Sequence, residues 1–263
     1  MSKTLGLALG SGGARGIVHA GFLAALDEAG IRPDYITGCS MGSVVGGSYA
    51  SGLSAKEIRD AFLSLKFFDL FDFSPVAFTK MALLRSKKIY DLLAENLKVQ
   101  NIEKFPIPFK CVATDLLSGK LHIFDKGDAA LAIQSSSTIP GVFRPVKFED
   151  KLLVDGGCLC RVPFQLVKEM GADVVVAVDA LINTSEPVEK LNNIVSMLLR
   201  VFDVMDWHNS SVLKERDKDV YNLWLEPELK GVTAYQVKDL ERIYDEGYDL
   251  GRKNIQKIKE LLK

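Results

Sequence analysis

Tyr35-Ile36-Thr37-Gly38-Cys39-Ser40-Met41-Gly42-Ser43-Val44-Val45-Gly46-Gly47 is the stretch on which the reading of this chain turns. Tyr35, Ile36 and Thr37 favour an extended strand, and the small residues after Gly42 suit a helix packed close to its neighbours. Between them the G-x-S-x-G pattern at 38–42 places Ser40 on a cramped strand-to-helix turn that projects its hydroxyl. Gly38 and Gly42 let neighbouring backbone approach without a Cβ clash, and the helix that follows aims its N-terminal amides and positive dipole end at the Ser40 oxygen. In a chain with 21 glycines the pattern alone arises by chance, so its weight depends on what surrounds it.

Outward from this turn, the runs at 4–10, 109–115 and 172–179 are apolar with little alternation, as strands covered on both faces require. Helical stretches are expected at about 14–29, 43–51, 54–65, 87–98, 127–136 and 163–170, several opened by Ser or Asp and closed by Gly. The alternation predicts a three-layer α/β/α fold with a mainly parallel central sheet. Pro106, Pro108, Pro140 and Pro145 mark loops rather than linkers, so residues 1–263 read as one domain. Two segments stand apart: an aromatic-rich cap at about 62–86, and a helical C-terminal portion at about 188–263. Within the latter, the apolar rhythm over 188–214 suits either core packing or a homodimer surface.

The charge balance, 33 basic against 34 acidic residues, offers no global field for nucleic acid. The opening MSKTLGLALG is too short for a secretory leader and reads as the first strand of a cytoplasmic protein. Cys39, Cys111, Cys158 and Cys160 lack the C-x-x-C spacing of a zinc site and read as free thiols; no cofactor is expected.

Directly after the first strand, Gly10-Ser11-Gly12-Gly13-Ala14-Arg15-Gly16 leaves backbone amides free at a helix N-terminus, a ready cradle for an anion. If Ser40 attacks an acyl group, that anion is the tetrahedral oxygen, and Gly12 and Gly13 are the candidate oxyanion-hole donors. Arg15 either pins the loop or meets a phosphate headgroup, and Gly16 supports the turn. Ser40 also needs a base. His19 and His122 sit in a helix and a strand without a plausible approach, and only His208 follows in the Ser, Asp, His order. Asp155 is the better partner, since Lys151-Leu152-Leu153-Val154 ends there in Asp155-Gly156-Gly157, although a plain turn accounts for that motif equally.

The glycine loop with Arg15, the G-x-S-x-G at 38–42 and the Asp-Gly-Gly at 155–157, in that order, resemble the patatin-like phospholipase family over about residues 4–180. The loop of that family usually reads G-G-G-x-R-G, and Ser11 replaces the first of those glycines here. The resemblance implies a serine acyl hydrolase in which Ser40 attacks, Asp155 completes a Ser-Asp dyad without histidine, and the loop forms the oxyanion hole. It further implies a phospholipid, lysophospholipid or neutral lipid substrate. Phe62, Phe67, Phe68, Phe71, Phe73 and Phe78, with Arg85, Lys87 and Lys88 nearby, then form an acyl-binding cap, a patch for peripheral contact with the inner membrane face, or a segment packed on the core. Two rivals stand: a catalytically quiet lipid-binding regulatory protein, and a dinucleotide-binding module whose third glycine is replaced by Arg15.

Overall fold

The computed structural model describes residues 3–64, 87–180, 194–229 and 239–263. Along the chain run β1 (Leu5–Leu9), a 3-10 turn (Gly13–Ile17), α1 (Val18–Glu28), β2 (Tyr35–Cys39), α2 (Met41–Ala50), α3 (Ala55–Ser64), α4 (Lys87–Asn96), β3 (Phe109–Asp115) and β4 (Lys120–Phe124). There follow α5 (Ala129–Ser136), β5 (Val146–Phe148), β6 (Lys151–Asp155), α6 (Phe164–Glu169), β7 (Val174–Val178), α7 (Ile194–Arg216), β8 (Leu223–Leu225) and α8 (Leu240–Leu261). The aromatic segment expected at 62–86 lies, beyond Ser64, outside the described residues.

The strands form one sheet in the order β5-β6-β3-β2-β1-β7-β8, with β4 beside β3. Its centre is parallel, as the apolar runs predict: β1 pairs β2 and β7, β2 pairs β3, and β7 pairs β8. The flank is antiparallel, where β4 and β6 each run against β3, and β5 against β6.

The register along β3 positions the site. Residues 111–115 of β3 pair with β4, so β2 and β6 must share the opposite edge. On that edge β2 ends with Cys39 against Val112, and β6, arriving from the other direction, ends with Asp155 against the next residue, Ala113. The C-terminal ends of β2 and β6 therefore meet head to head. Gly156 makes room for the meeting, because a Cβ there would lie 2.4 Å from the Val112 carbonyl oxygen.

Helices cover both faces of the sheet. Leu5, Leu7 and Leu9 of β1 pack with Phe22 of α1, Val45 of α2 and Ile243 of α8. Ala8, Val175 and Ala177 face the other way, against Phe164 and Val167 of α6, with Leu213 of α7 beside them. Continuous burial on both faces explains why β1 and β7 lack polar alternation. The C-terminal helix lies close on α1: a Cβ at Gly21 would stand 2.0 Å from the Tyr244 oxygen, and one at Gly247 would stand 2.0 Å from the Val18 oxygen.

The core-packing reading of the 188–214 rhythm fails at Met197, Leu198, Val201, Val204 and Met205 of α7, which are exposed, while Leu213 of the same helix packs against the core. The helix instead turns Asp206 and Ser210 inward, both buried. Residues 188–193 lie outside the described residues.

Candidate active site

At the head-to-head meeting of β2 and β6, Ser40 Oγ donates a hydrogen bond of 2.6 Å to Asp155 Oδ2. Both side chains are buried, Ser40 at 6% and Asp155 at 1% exposure. Ser40 holds a positive φ of 52°, a conformation that costs a residue with a Cβ about 1–3 kcal/mol and persists only where its surroundings impose it. Here they do. The Ser40 carbonyl accepts from the Ser43 amide at 2.9 Å, the Val44 amide at 3.1 Å and the Ser43 hydroxyl at 2.6 Å. The Ser40 amide donates to Ser136 Oγ at 3.0 Å.

The flanking glycines are required by contact. A Cβ at Gly38 would sit 2.6 Å from the Gly42 oxygen, and one at Gly42 would sit 2.1 Å from the Leu9 oxygen. A side chain at Gly42 would push the turn away from β1 and the loop that follows it, and one at Gly38 would push β2 away from the start of α2.

Asp155 is anchored on every side. Its amide donates to the Thr138 carbonyl at 2.8 Å, while Oδ1 accepts from the Gly157 amide at 2.8 Å and the Cys39 thiol at 3.8 Å. Burial pushes its carboxyl up to about 6, against the donors Ser40, Gly157 and Cys39, which favour the charged form. The Cys39 thiol is raised far above its usual range, by burial first and then by the Asp155 carboxylate, so it stays a donor.

The glycine loop lies against this pair. A Cβ at Gly16 would meet Met41 Cγ at 2.1 Å, which binds the loop to the start of α2. The Gly10 amide donates to Val178 O at 2.9 Å and the Ser11 amide to Arg161 O at 3.1 Å. Among the described residues, the amides of Gly12 and Gly13 meet no backbone acceptor. Gly13 has a φ of 55°, the left-handed conformation that glycine tolerates. Arg15 is buried and turned into the loop, its Nε donating to Gly12 O at 3.4 Å.

The histidines lie elsewhere in chemical terms. His19 is buried with Nε2–H donating to Gly10 O at 2.8 Å, and burial lowers its pKa to about 4, so it is a neutral prop beneath the loop. His122 stacks edge-on against Phe124, and His208 is exposed on α7. Among the described residues no group of His, Cys, Asp and Glu is placed to hold a metal ion.

Residues 7–168 match the family described as patatin-like phospholipase. The chain belongs to the patatin-like phospholipase family. The dinucleotide-binding reading is thereby set aside. An NTE family protein of Mycobacterium tuberculosis is 37% identical over 77% of this chain, which spans 59% of that relative's length. A lysophospholipase NTE1 of Coccidioides immitis is 28% identical over 98% of this chain, and only 18% of its own length is matched. Among solved structures, VipD from Legionella pneumophila superposes with a TM-score of 0.59 at 15% identity, covering 97% of this chain and 67% of its own. Human GIVD cytosolic phospholipase A2 gives 0.52 at 10% identity over 99% and 60%. These distant structures share the fold.

Three features of this patatin-like site are absent from a motif-based reading. Ser136 sits in the run Ser135-Ser136-Ser137-Thr138, in which Ser135, Ser137 and Thr138 bond carbonyls four residues back, leaving Ser136 turned to Ser40. Arg161 pairs with Asp179 in a buried bridge, Nε to Oδ1 at 2.9 Å and Nη2 to Oδ1 at 2.5 Å, under the loop. Asp206 of α7 accepts from Ser11 Oγ at 3.2 Å. The serine run was a sequence signal; the other two contacts are purely tertiary.

Proposed function

We propose that this chain is a lipid acyl ester hydrolase of the phospholipase A or lysophospholipase type, working through a Ser40–Asp155 dyad. The observation that carries the reading is the direct 2.6 Å hydrogen bond from Ser40 to Asp155, with no imidazole between them. Asp155 accepts the hydroxyl proton as Ser40 Oγ attacks the ester carbonyl, and the oxygen that gains charge is received by the amides of Gly12 and Gly13. Collapse of the tetrahedral intermediate expels the alcohol, which takes the proton back from Asp155. Water then attacks the acyl-serine, giving its proton to Asp155, and Ser40 is restored with release of the fatty acid. A carboxylate is a weaker base than imidazole, so the loop must carry much of the barrier reduction, about 3 kcal/mol for each such donor.

A Ser-Asp pair of this kind works only with Asp155 ionised, so turnover rises with pH through about 6. The fungal lysophospholipases among its relatives favour an ester of a single-chain phospholipid. A fluorophosphonate probe is expected to label the wild type and not Ser40→Ala, and Asp155→Asn to lose turnover on a lipid panel. A folded wild-type protein that resists the probe contradicts the hydrolase and leaves a quiet lipid-binding protein.

The exposed apolar residues of α7, Met197, Leu198, Val201 and Met205, fit contact with a lipid surface next to the site. The homodimer through 188–214 is the competing occupant. Vesicle flotation without self-association supports the first, and a concentration-dependent dimer lost in Val201→Asp supports the second. Among the described residues no helix is long and apolar enough to cross a membrane.

A further inference from the structure

Asp206 is 2% exposed and projects from the inner face of α7, in the part of the chain beyond the matched family segment. One oxygen, Oδ2, accepts from Ser11 Oγ at 3.2 Å, and the same atom lies 3.5 Å from where a Cβ on Gly157 would stand. Ser11 is the one place where the glycine loop departs from its usual pattern, and the Gly157 amide is a hydrogen-bond donor to Asp155. The other oxygen, Oδ1, has no hydrogen-bond partner among the described residues. A bare anionic oxygen without a donor is a costly thing to bury, whereas a carboxylic acid is far less so.

The charges that face Asp206 come from several elements. Arg161, paired with Asp179 in the buried bridge, is the charge that weighs most on Asp206 and favours its ionised form, and Asp179 opposes it. Asp155 stands at the end of β6, and the thiols of Cys39, Cys158 and Cys160 lie near enough to Asp206 to interact with it. Of the two carboxyls left over, Asp155 has three donors and Asp206 has one. Two adjacent buried carboxyls ionise one at a time, and the better-solvated one goes first.

We propose that Asp206 is a positioning residue that acts as a neutral carboxylic acid, joining the glycine loop through Ser11 to the turn that holds Asp155, and leaving Asp155 as the ionised member of the pair. The inference rests on the Ser40–Asp155 reading above. Burial raises the Asp206 carboxyl well above its usual range, with Asp179 and Asp155 adding to the rise and Arg161 and Ser11 opposing it. Asp206 then keeps its proton at pH values where an exposed carboxyl has lost its own, and the loop keeps its tether. On the alkaline side its ionisation sets a second anion beside Asp155 and drives the two halves of the site apart.

Two variants and two readouts test this. Asp206→Asn keeps a neutral side chain with an oxygen for Ser11, and is expected to hold kcat within about threefold, to leave the rise through about 6 in place, and to abolish the alkaline fall of the wild type. Asp206→Leu breaks the tether, and is expected to lower kcat on the order of 10²-fold with KM held. The second readout needs no activity. A carboxyl whose folded pKa is raised binds a proton in the folded state that the unfolded state has released, so the wild type loses stability as pH rises through that window. The Tm of Asp206→Asn minus that of the wild type should therefore grow as pH rises above the ordinary carboxylate range. A constant difference overturns the neutral state of Asp206. Loss of turnover in folded Asp206→Asn, or full kcat in Asp206→Leu, overturns its positioning role. Should the wild type prove inactive, the hydrolase reading fails by itself and the thermal comparison still decides the protonation of Asp206.

Discussion

Ser40 and Asp155 are separated by 115 positions, and nothing in their spacing announces that they touch. Their motifs were legible, since each is a glycine-bounded polar residue at the end of an apolar strand. Their pairing in sequence rested on the order of motifs that resembles the family, and in the structure it follows from the shared edge of β3. Ser136 shows what spacing leaves unread. Four successive hydroxyl residues look alike in sequence, and only the curvature of α5 decides that Ser136 alone faces the elbow. Ser136→Ala leaves the Ser40 amide buried without its acceptor, which is expected to cost about 1–3 kcal/mol of stability and to slow probe labelling as the strained φ relaxes. Ser137→Ala removes only a bond from the residue after α5 back to its last turn and should label at the wild-type rate. Equal labelling by the two variants would show that the amide bond does not hold the elbow.

At the scale of elements, the long strands and helices were readable because each satisfies a period or an uninterrupted apolar run. β3 at 109–115 and β6 at 151–155 fall where the runs place them. β5 and β8 span only Val146–Phe148 and Leu223–Leu225, too short for any period to declare itself. The antiparallel arrival of β6 is equally silent in sequence, since direction depends on where the preceding loop turns. The contact of α8 with α1 is another case, for Gly21 and Gly247 read as weak points within helices until their closeness is seen. That closeness reaches the site, because Val18, the residue under Gly247, opens α1 directly after the glycine-loop turn. Gly247→Ala sets a methyl against backbone at 2.0 Å and must displace one helix, at a cost of about 1–3 kcal/mol. Gly251→Ala meets mainly the Ala25 side chain, one helical turn and more from the loop. Denaturant midpoints should fall for both, and kcat for Gly247→Ala more than for Gly251→Ala. Equal kcat values would detach the loop from the α1–α8 contact.

For the whole molecule, the groups that make the site also set how stability answers to pH, and they pull in opposite directions. His19 is held neutral by burial, with its pKa lowered from 6.5 to about 4. Between those values the unfolded chain binds a proton that the folded chain refuses, so His19 makes stability rise with pH across that window. Asp155 is displaced the other way, from 3.8 up to about 6, so the folded chain holds a proton that the unfolded chain has released. Stability then falls as pH rises across its window. Each displacement corresponds to a free energy on the order of 3 kcal/mol, and over the shared range from about 4 to about 6 the two offset each other. Removing one group should unmask the other. Asp155→Asn is expected to gain stability with rising pH, relative to the wild type, across this range. His19→Asn should show the reverse, and above about 6.5 both differences should level off. Chemical denaturation of the three proteins at a series of pH values measures the slopes directly, and comparison with the wild type cancels the exposed carboxylates common to all. Parallel slopes in all three would mean that His19 and Asp155 titrate in the folded chain as they do in the unfolded one. The buried histidine beneath the loop and the buried carboxyl at the end of β6 would then lack the desolvated surroundings that the proposed chemistry requires.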